Sequence, residues 1–460
     1  MTKTAKTLLI KGGRVIDPAS GRDETADVLL VDGAVRAIEA RIDGLPGPAD
    51  RDAAGSATLE AEGLIVAPGL IDPHVHFRQP GQEYKETIES GSDAAVAGGF
   101  TTVVMMPNTS PAIDGPEIVE AVLAIAAREA KCRVFTTCCA TTGRKGERLV
   151  EIDRCRRAGA VGVTDDGDVI ESPAMMRRVL EAAAESGLTV MQHAQDRSLT
   201  PGSVMHAGEV STRFGVAGWP RIAEEIVVDR DCRLTASAPG SRYHVQHISS
   251  GGTVEILKRW RDAGAAVSGE ASPHHLTLTH EACVSPDGEK LLPAAKMNPP
   301  LRETSDVRAL RQAVADGVIT VLATDHAPHA AHEKAEPFEA APFGIVGLET
   351  ALPLYAEALV RSGAIGWPRL IAMMTLEPAR LCGLDSRGLG SLAVGGPADV
   401  TLIDPDLDWA ITDDVFRGRS RNSPFVGHHA RGRAVATIVG GHPRHFDASV
   451  TERWSGEGLA

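Results

Sequence analysis

Gly63-Leu64-Ile65-Val66-Ala67-Pro68-Gly69-Leu70-Ile71 runs directly into Asp72-Pro73-His74-Val75-His76-Phe77-Arg78-Gln79-Pro80-Gly81. The apolar run predicts a buried strand over residues 64–76. Residues two apart on a strand share a face. His74 and His76 therefore aim two imidazoles at one point, as a metal ion requires. Alone, an H-x-H at a strand end reads equally well as two unrelated histidines. What separates the readings is whether other strands end the same way.

Downstream, strand-like runs alternate with helical stretches, the pattern of βαβ units and a parallel sheet. After residues 64–76 the strand candidates are 101–106, 132–138, 160–164, 188–191, 243–247, 265–268 and 318–323. Helical periodicity occupies 116–129, 173–186, 254–262 and 306–315, with Pro116 and Pro173 where proline starts helices. Eight such repeats predict an α/β fold of the (β/α)₈ TIM-barrel type. An open doubly wound sheet is the alternative, but no G-x-G-x-x-G opens the first helix.

Both ends of the chain are β-rich. Residues 8–17 read as strand, turn, strand, and residues 26–38 as a hairpin turning at Asp32-Gly33. Residues 45–56, rich in Pro, Gly, Ala and Asp, read as loop. Further strands are expected at 398–404 and 435–441. Each β-rich segment is too small to bury much alone, so the two ends are expected to pair into a small β-sandwich domain. The expected division is 1–64 and 383–445 for that domain, 65–382 for the barrel, and 446–460 for a tail.

Composition limits the function. The 460 residues carry a formal charge of −14 and no long basic run, so nucleic acid and anionic membranes are poor partners. An anionic substrate would need a local cation. The seven cysteines include no C-x-x-C pair and are expected to be free buried thiols in a reducing cytoplasm. Residues 1–7 lack the apolar core of a signal peptide, and no run of about 18 apolar residues occurs. A cytoplasmic protein is expected.

The polar residues that stand out fall at the C-terminal ends of the strand candidates, the rim where barrels of this kind build active sites. Strand one ends in His74 and His76, and strand four runs into Thr164-Asp165-Asp166-Gly167. Strands five and six end in Gln192-His193 and Gln246-His247, and strand eight in Thr324-Asp325-His326-Ala327-Pro328-His329. Any one of these reads as a satisfied histidine or a helix-capping aspartate; together on one rim they do not. Four imidazoles with two carboxylates suit Zn²⁺ or a similar ion. Six ligands exceed one tetrahedral shell, so two metals sharing a bridging group is the simpler account.

At these motifs the chain resembles the amidohydrolase superfamily, and within it the bacterial class I dihydroorotases. The resemblance also rests on Met106-Pro107-Asn108-Thr109, His247-Ile248-Ser249, Lys296-Met297-Asn298-Pro299-Pro300-Leu301-Arg302 and the run from Ala341 to Glu349. It implies that His74, His76 and Asp325 hold a first metal and His193 and His247 a second, with Asp166 bridging. It further implies that Arg78, Asn108 and His329 hold a substrate carboxylate, and that Asn298 and the backbone at Phe343-Gly344 contact a pyrimidine ring. A guanidinium fork suits a carboxylate on its own chemistry.

The implied reaction is reversible cyclisation of N-carbamoyl-L-aspartate to L-dihydroorotate in pyrimidine biosynthesis, with two Zn²⁺ per subunit and Asp325 moving the proton. A homodimer is implied, with aspartate transcarbamoylase as a candidate partner. Two alternatives stand beside it. Allantoinases and hydantoinases typically bridge their metals with a carboxylated lysine on strand four, yet residues 158–167 contain no lysine. Non-catalytic dihydroorotase-like partners of aspartate transcarbamoylase usually lose ligands, and here all six are present. The run Gln192-His193-Ala194-Gln195-Asp196 and Gln246 depart from the family's pattern without removing a ligand. His244, His274 and His275 match the ligands' surroundings rather than the ligands. Residues 329–342 are expected to form a surface loop beside the site.

Overall fold

The computed structural model describes residues 7–43 and 56–456. The loop expected at 45–56 falls outside these residues except for Ser56, as does nearly all of the leader segment 1–7.

The chain opens with β1 (Thr7–Asp17), β2 (Arg22–Val31), β3 (Ala34–Glu39), β4 (Ser56–Glu60) and β5 (Ile65–Pro68). Residues 8–17 are one strand, not strand–turn–strand. Lys11-Gly12 makes a bulge, and the flanks on both sides of it continue pairing with β2. The turn at Asp32-Gly33 forms as expected, with φ of +48° and +80°, the left-handed pair that suits a two-residue hairpin.

The barrel strands follow. They are β6 (Leu70–Val75), β7 (Phe100–Met105), β8 (Arg133–Thr136) and β9 (Val190–Gln192). A two-stranded outlier, β10 (Met205–His206) with β11 (Gly218–Trp219), precedes β12 (Tyr243–Val245), β13 (Val267–Ala271) and β14 (Val321–Leu322). Parallel pairing runs β6–β7–β8 and β9–β12–β13–β14. The fourth position is not a regular strand. Val163 bridges Cys138 on one side and Val190 on the other, which joins the two groups. Beyond β14, His326 bridges Val75 and completes the ring.

The run 64–76 does not form one strand. It divides at Gly69 into β5, which belongs to the small sheet, and β6, which belongs to the barrel. A Cβ at Gly69 would stand 2.0 Å from Thr101 Oγ1, so only glycine lets the chain cross this close to β7. Pairing of β6 with β7 slips between Asp72 and Val75, a bulge at Pro73, which has no N–H to donate. The freed Asp72 carboxylate accepts from the Thr324 backbone and hydroxyl, latching the first barrel strand to the last.

A helix follows each barrel position: Ile88–Ala97, Pro116–Glu129, Ile152–Ala158, Pro173–Glu185, Ile222–Ser237, Gly251–Asp262, Thr304–Ala315 and Trp367–Met374. In Pro173–Glu185 the Ser172 hydroxyl caps the first turn and Pro173 opens it. Met176, Val179, Leu180 and Ala183, spaced at helical period, are buried against the barrel. Each large apolar side chain buried in this way contributes roughly 1.5–3 kcal/mol.

The C-terminal strands β15 (Val400–Ala410), β16 (His429–Val439), β17 (His442–Phe446) and β18 (Trp454–Gly456) return to the first sheet. β15 pairs antiparallel with β5, and β18 with β4, giving one nine-stranded sheet from both ends of the chain. Leu8, Ile10, Val28, Leu402, Val435 and Ile438 belong to its own apolar core. Between β15 and β16, residues 416–425 leave this sheet and reach the barrel rim, where Asn422 contacts the site.

Candidate active site

The six metal-ligand candidates converge where the barrel strands end. Glu270 Oε1 lies 2.6 Å from His74 Nδ1. A carboxylate only accepts, so Nδ1 carries the hydrogen and Nε2 presents its lone pair. That Nε2 is buried with no hydrogen-bond partner, 3.4 Å from Asp325 Oδ1 and 3.5 Å from Asp166 Oδ1. His76 is set the same way. Asn108 donates to Asp166 Oδ2 at 3.3 Å, which leaves its Oδ1 to accept from His76 Nδ1 at 2.9 Å. His76 Nε2 then faces Asp325 Oδ1 at 3.0 Å and Asp166 Oδ2 at 3.6 Å.

His193 and His247 form the other half. His193 Nε2 lies 3.2 Å from Gln195 Oε1, which turns Nδ1 inward. Nδ1 meets His247 Nε2 at 2.8 Å, and the two stand 3.8 Å and 3.9 Å from Asp166 Oδ1. Asp166 thus faces both halves. Two overlapping triads, His74/His76/Asp325 and His74/Asp166/His247, each bring their ligand atoms within 4.8 Å of one another. Asp325 and His247 hold φ at +48° and +31°, strained values of the kind found at functional sites. An unpartnered buried imidazole nitrogen between two carboxylates, within a set of imidazoles and carboxylates, fits a divalent ion.

The electrostatics agree. Burial pushes the Asp166 carboxyl up, but His74, His76 and His193 outweigh it and hold the group well below the usual carboxylate range. For Asp325, burial is likewise outweighed by His74 and His76, and the carboxyl sits below its ordinary value. Burial, with His193 and His74 beside it, keeps His247 well below the ordinary imidazole value, so it is neutral. Burial also lowers His76. His74 moves the other way: Asp325, Glu270 and Asp166 overcome its burial and raise it well above its ordinary value. The position is built for positive charge.

A cavity of about 290 Å³ opens above these groups, and every candidate metal-ligand and substrate-binding residue except His74 lines it. Arg78, at φ +52°, donates from Nε to Pro328 O at 3.2 Å, and its Nη2 lies 3.5 Å from His329 Nε2. Burial lowers its pKa to about 10, so it remains a cation at neutral pH. His329 is driven to about 2 by burial together with Arg78, Lys85 and Lys334, and is neutral. Asn298 donates to Gln195 Oε1 at 3.3 Å, while its own Oδ1 is buried without a partner. At Gly344, φ +151°, a Cβ would come within 2.6 Å of Ala327 O. Among the described residues no lysine lines the cavity.

Several supporting residues were not legible in the sequence. Glu270 orients His74, accepts the His247 backbone N–H at 3.2 Å, and meets His244 Nε2 at 3.1 Å. Burial alone would raise its carboxyl; His74 and His244 bring it down to about 2. The seventh strand was expected at 265–268, two to three residues too early, so Glu270 fell outside it. His275 bonds Pro299 O at 3.0 Å, and neither it nor His274 joins a ligand triad among the described residues. Asn422 donates to Ala327 O and Gly344 O and accepts from His329 N–H, each at 3.0 Å. The loop at 329–342 flanks the cavity but is not bare coil: it contains the short helix Ala331–Lys334 and is tied down by Lys296 and Lys334.

A (β/α)₈ barrel with histidines and aspartates gathered on its C-terminal rim is the architecture of a metal-dependent hydrolase. In overall structure the chain is similar to the L-hydantoinase (dihydropyrimidinase) of Arthrobacter aurescens, with TM-score 0.83 and 25% identity over 98% of this chain and 97% of that one. It shares its fold with a dihydropyrimidinase of Brevibacillus agri, with TM-score 0.80 and 23% identity over 96% of each chain. A family model described as Dihydro-orotase-like matches residues 63–253. Proteins named dihydroorotase from Pelobacter propionicus and from Geobacter sp. strain M21 are 45% and 46% identical to it, each over 94% of this chain and 98% of the relative. The chain belongs to the dihydroorotase family.

Proposed function

We propose that the protein is a dihydroorotase, catalysing the reversible cyclisation of N-carbamoyl-L-aspartate to L-dihydroorotate in pyrimidine biosynthesis. One observation carries the reading: a single cavity stands over four clustered imidazoles and two carboxylates that could hold cations, and beside a buried guanidinium suited to a carboxylate. His74, His76 and Asp325 would hold one ion, His193 and His247 a second, and Asp166 would face both. We take both to be Zn²⁺. When bound, such ions acidify water to a nucleophile at neutral pH and polarise a carbonyl.

The chain's own residues supply the rest. Arg78, Asn108 and His329 hold the substrate carboxylate, while Asn298 and the Phe343-Gly344 backbone orient the ring. In hydrolysis the C–N bond of the ring amide breaks, and the oxygen of water becomes part of the new carboxylate. Asp325, ionised and 3.0 Å from His76 Nε2, accepts the proton of that water and returns it to the departing ring nitrogen. Cyclisation runs through the same groups in reverse. A cytoplasmic homodimer, able to associate with aspartate transcarbamoylase, belongs to this proposal.

The likeness to hydantoinases raises a second reading, hydrolysis of hydantoin or allantoin. Asp166 facing both pairs of histidines, the absence of lysine from the cavity lining among the described residues and the buried Arg78 argue against it. The test is ring opening of dihydroorotate by the purified protein with and without added Zn²⁺, beside hydantoin and allantoin. Turnover of dihydroorotate alone supports the proposal; turnover of hydantoin or allantoin in its place overturns it.

A further inference from the structure

Two lysines outside the reacting groups hold one wall of the cavity. Lys334 Nζ donates to Pro293 O at 2.8 Å, Pro342 O at 2.9 Å and Lys296 O at 3.3 Å. Lys296 Nζ donates to Phe338 O and Ala341 O, both at 2.6 Å, and to Glu339 O at 3.0 Å. An ammonium has three donors, and here each is directed at a backbone carbonyl. Among the described residues neither lysine has a carboxylate within ion-pair distance.

Taking the buried Lys296 ammonium out of water, with Lys334 half-buried beside it, is costly, and what the two secure is geometry. Lys296 leads into Met297-Asn298, on the cavity wall. The carbonyls it binds lead into Pro342, Phe343 and Gly344, also on that wall. Its ammonium lies 4.5 Å from the centre of the Phe343 ring. The Gly344 N–H donates to Lys296 O at 2.9 Å, the same carbonyl that Lys334 reaches. The two ammoniums therefore join the segments around 293–298 and 338–344 through six hydrogen bonds.

Building on the dihydroorotase reading, we infer that Lys296 and Lys334 are positioning residues: a paired-ammonium staple that sets the spacing between Asn298 and Phe343-Gly344, and so the grip on the substrate ring. Neither touches a ligand candidate, so the staple governs substrate fit rather than metal binding.

The experiment uses the full-length, metal-loaded protein and Lys334→Met, which keeps the chain length and removes the donors. Expected are a KM for dihydroorotate raised about tenfold, kcat within about threefold, and unchanged metal content. Backbone amides at 338–344 should exchange hydrogen faster while the rest of the barrel does not change. Lys296→Met should act in the same direction; because Lys296 is almost fully buried and its loss may prevent folding, Lys334→Met decides. A folded Lys334→Met with KM within twofold of wild type and unchanged exchange at 338–344 overturns the staple. So does a parallel loss of kcat and metal, which marks general damage. If the wild type does not open dihydroorotate, the functional reading fails, and the exchange measurement still decides the staple.

Discussion

Arg78→Lys is the sharpest single perturbation of the proposed carboxylate site. Position 78 sits at φ +52°, and both residues carry a Cβ, so the backbone strain is the same in each. What changes is the head group. The guanidinium uses Nε on Pro328 O and keeps its remaining N–H groups for His329 and the cavity. An ammonium on a shorter, unforked stem can serve Pro328 O or the substrate carboxylate, not both in the same geometry. The loss is one to two hydrogen bonds to a charged group, at about 1.5–3 kcal/mol for the first. At 1.4 kcal/mol per factor of ten, KM for dihydroorotate should rise by roughly 10- to 100-fold. Because Arg78 belongs to neither ligand triad, metal content should stay at the wild-type value. Steady-state ring opening, with metal analysis on the same preparation, measures both. A KM within twofold of wild type would show that another group holds the carboxylate.

The other predictions test the centre itself. Asp325→Asn keeps the shape but cannot carry a proton, so kcat should fall by about 10²-fold or more with both metals retained; near-normal turnover would reduce Asp325 to a ligand. Its carboxyl lies below the ordinary carboxylate value, so the base form persists through neutral pH and hydrolysis is lost only as pH falls through that lowered pKa. Cyclisation, which needs the protonated form, should instead slow as pH rises, and a rate profile in each direction checks the two signs. Asp166→Ala should lose metal and rate together, and the wild-type rate should not respond to added bicarbonate; a carboxylated lysine found between the metals would refute the bridging role. Glu270→Gln should weaken metal binding by about 10- to 100-fold in a chelator competition, the usual effect of removing a group that orients a ligand; unchanged affinity would mean that His74 needs no orientation.

The ligand candidates were legible because each obeys a local rule. His74 and His76 sit two apart at the end of an apolar run, and Asp166, His193, His247 and Asp325 lie at, or within two residues of, the ends of other strand candidates. The fold was legible from the same alternation. What escaped depends on contacts between distant residues. The apolar run 64–71 belongs to two sheets; its one local sign is Pro68-Gly69, a breaker pair easily read through within so apolar a stretch, and Thr101 leaves no room for a side chain at Gly69. Glu270 is a charge in a short strand, and only the fold brings it to His74, 196 residues away. Asn422 lies in an irregular segment of the small domain, and its three bonds to the barrel rim reach across 78 to 95 residues.

The sheet built from both chain ends has a consequence for synthesis on the ribosome. β5 ends at Pro68, and the strand that covers its free edge, β15, begins at Val400. At about 5–20 residues per second, the roughly 330 intervening residues take about 15–65 s to be translated. Throughout that time the nascent chain carries an apolar strand with one open ladder edge, the surface most prone to mispairing with a neighbouring chain. Asn422 emerges later still, so the cavity cannot take its final shape while most of the barrel is already outside the exit tunnel. A polysome making this protein therefore displays a row of inactive barrels with bare edges, and its yield should depend on chaperones that act before termination rather than after it.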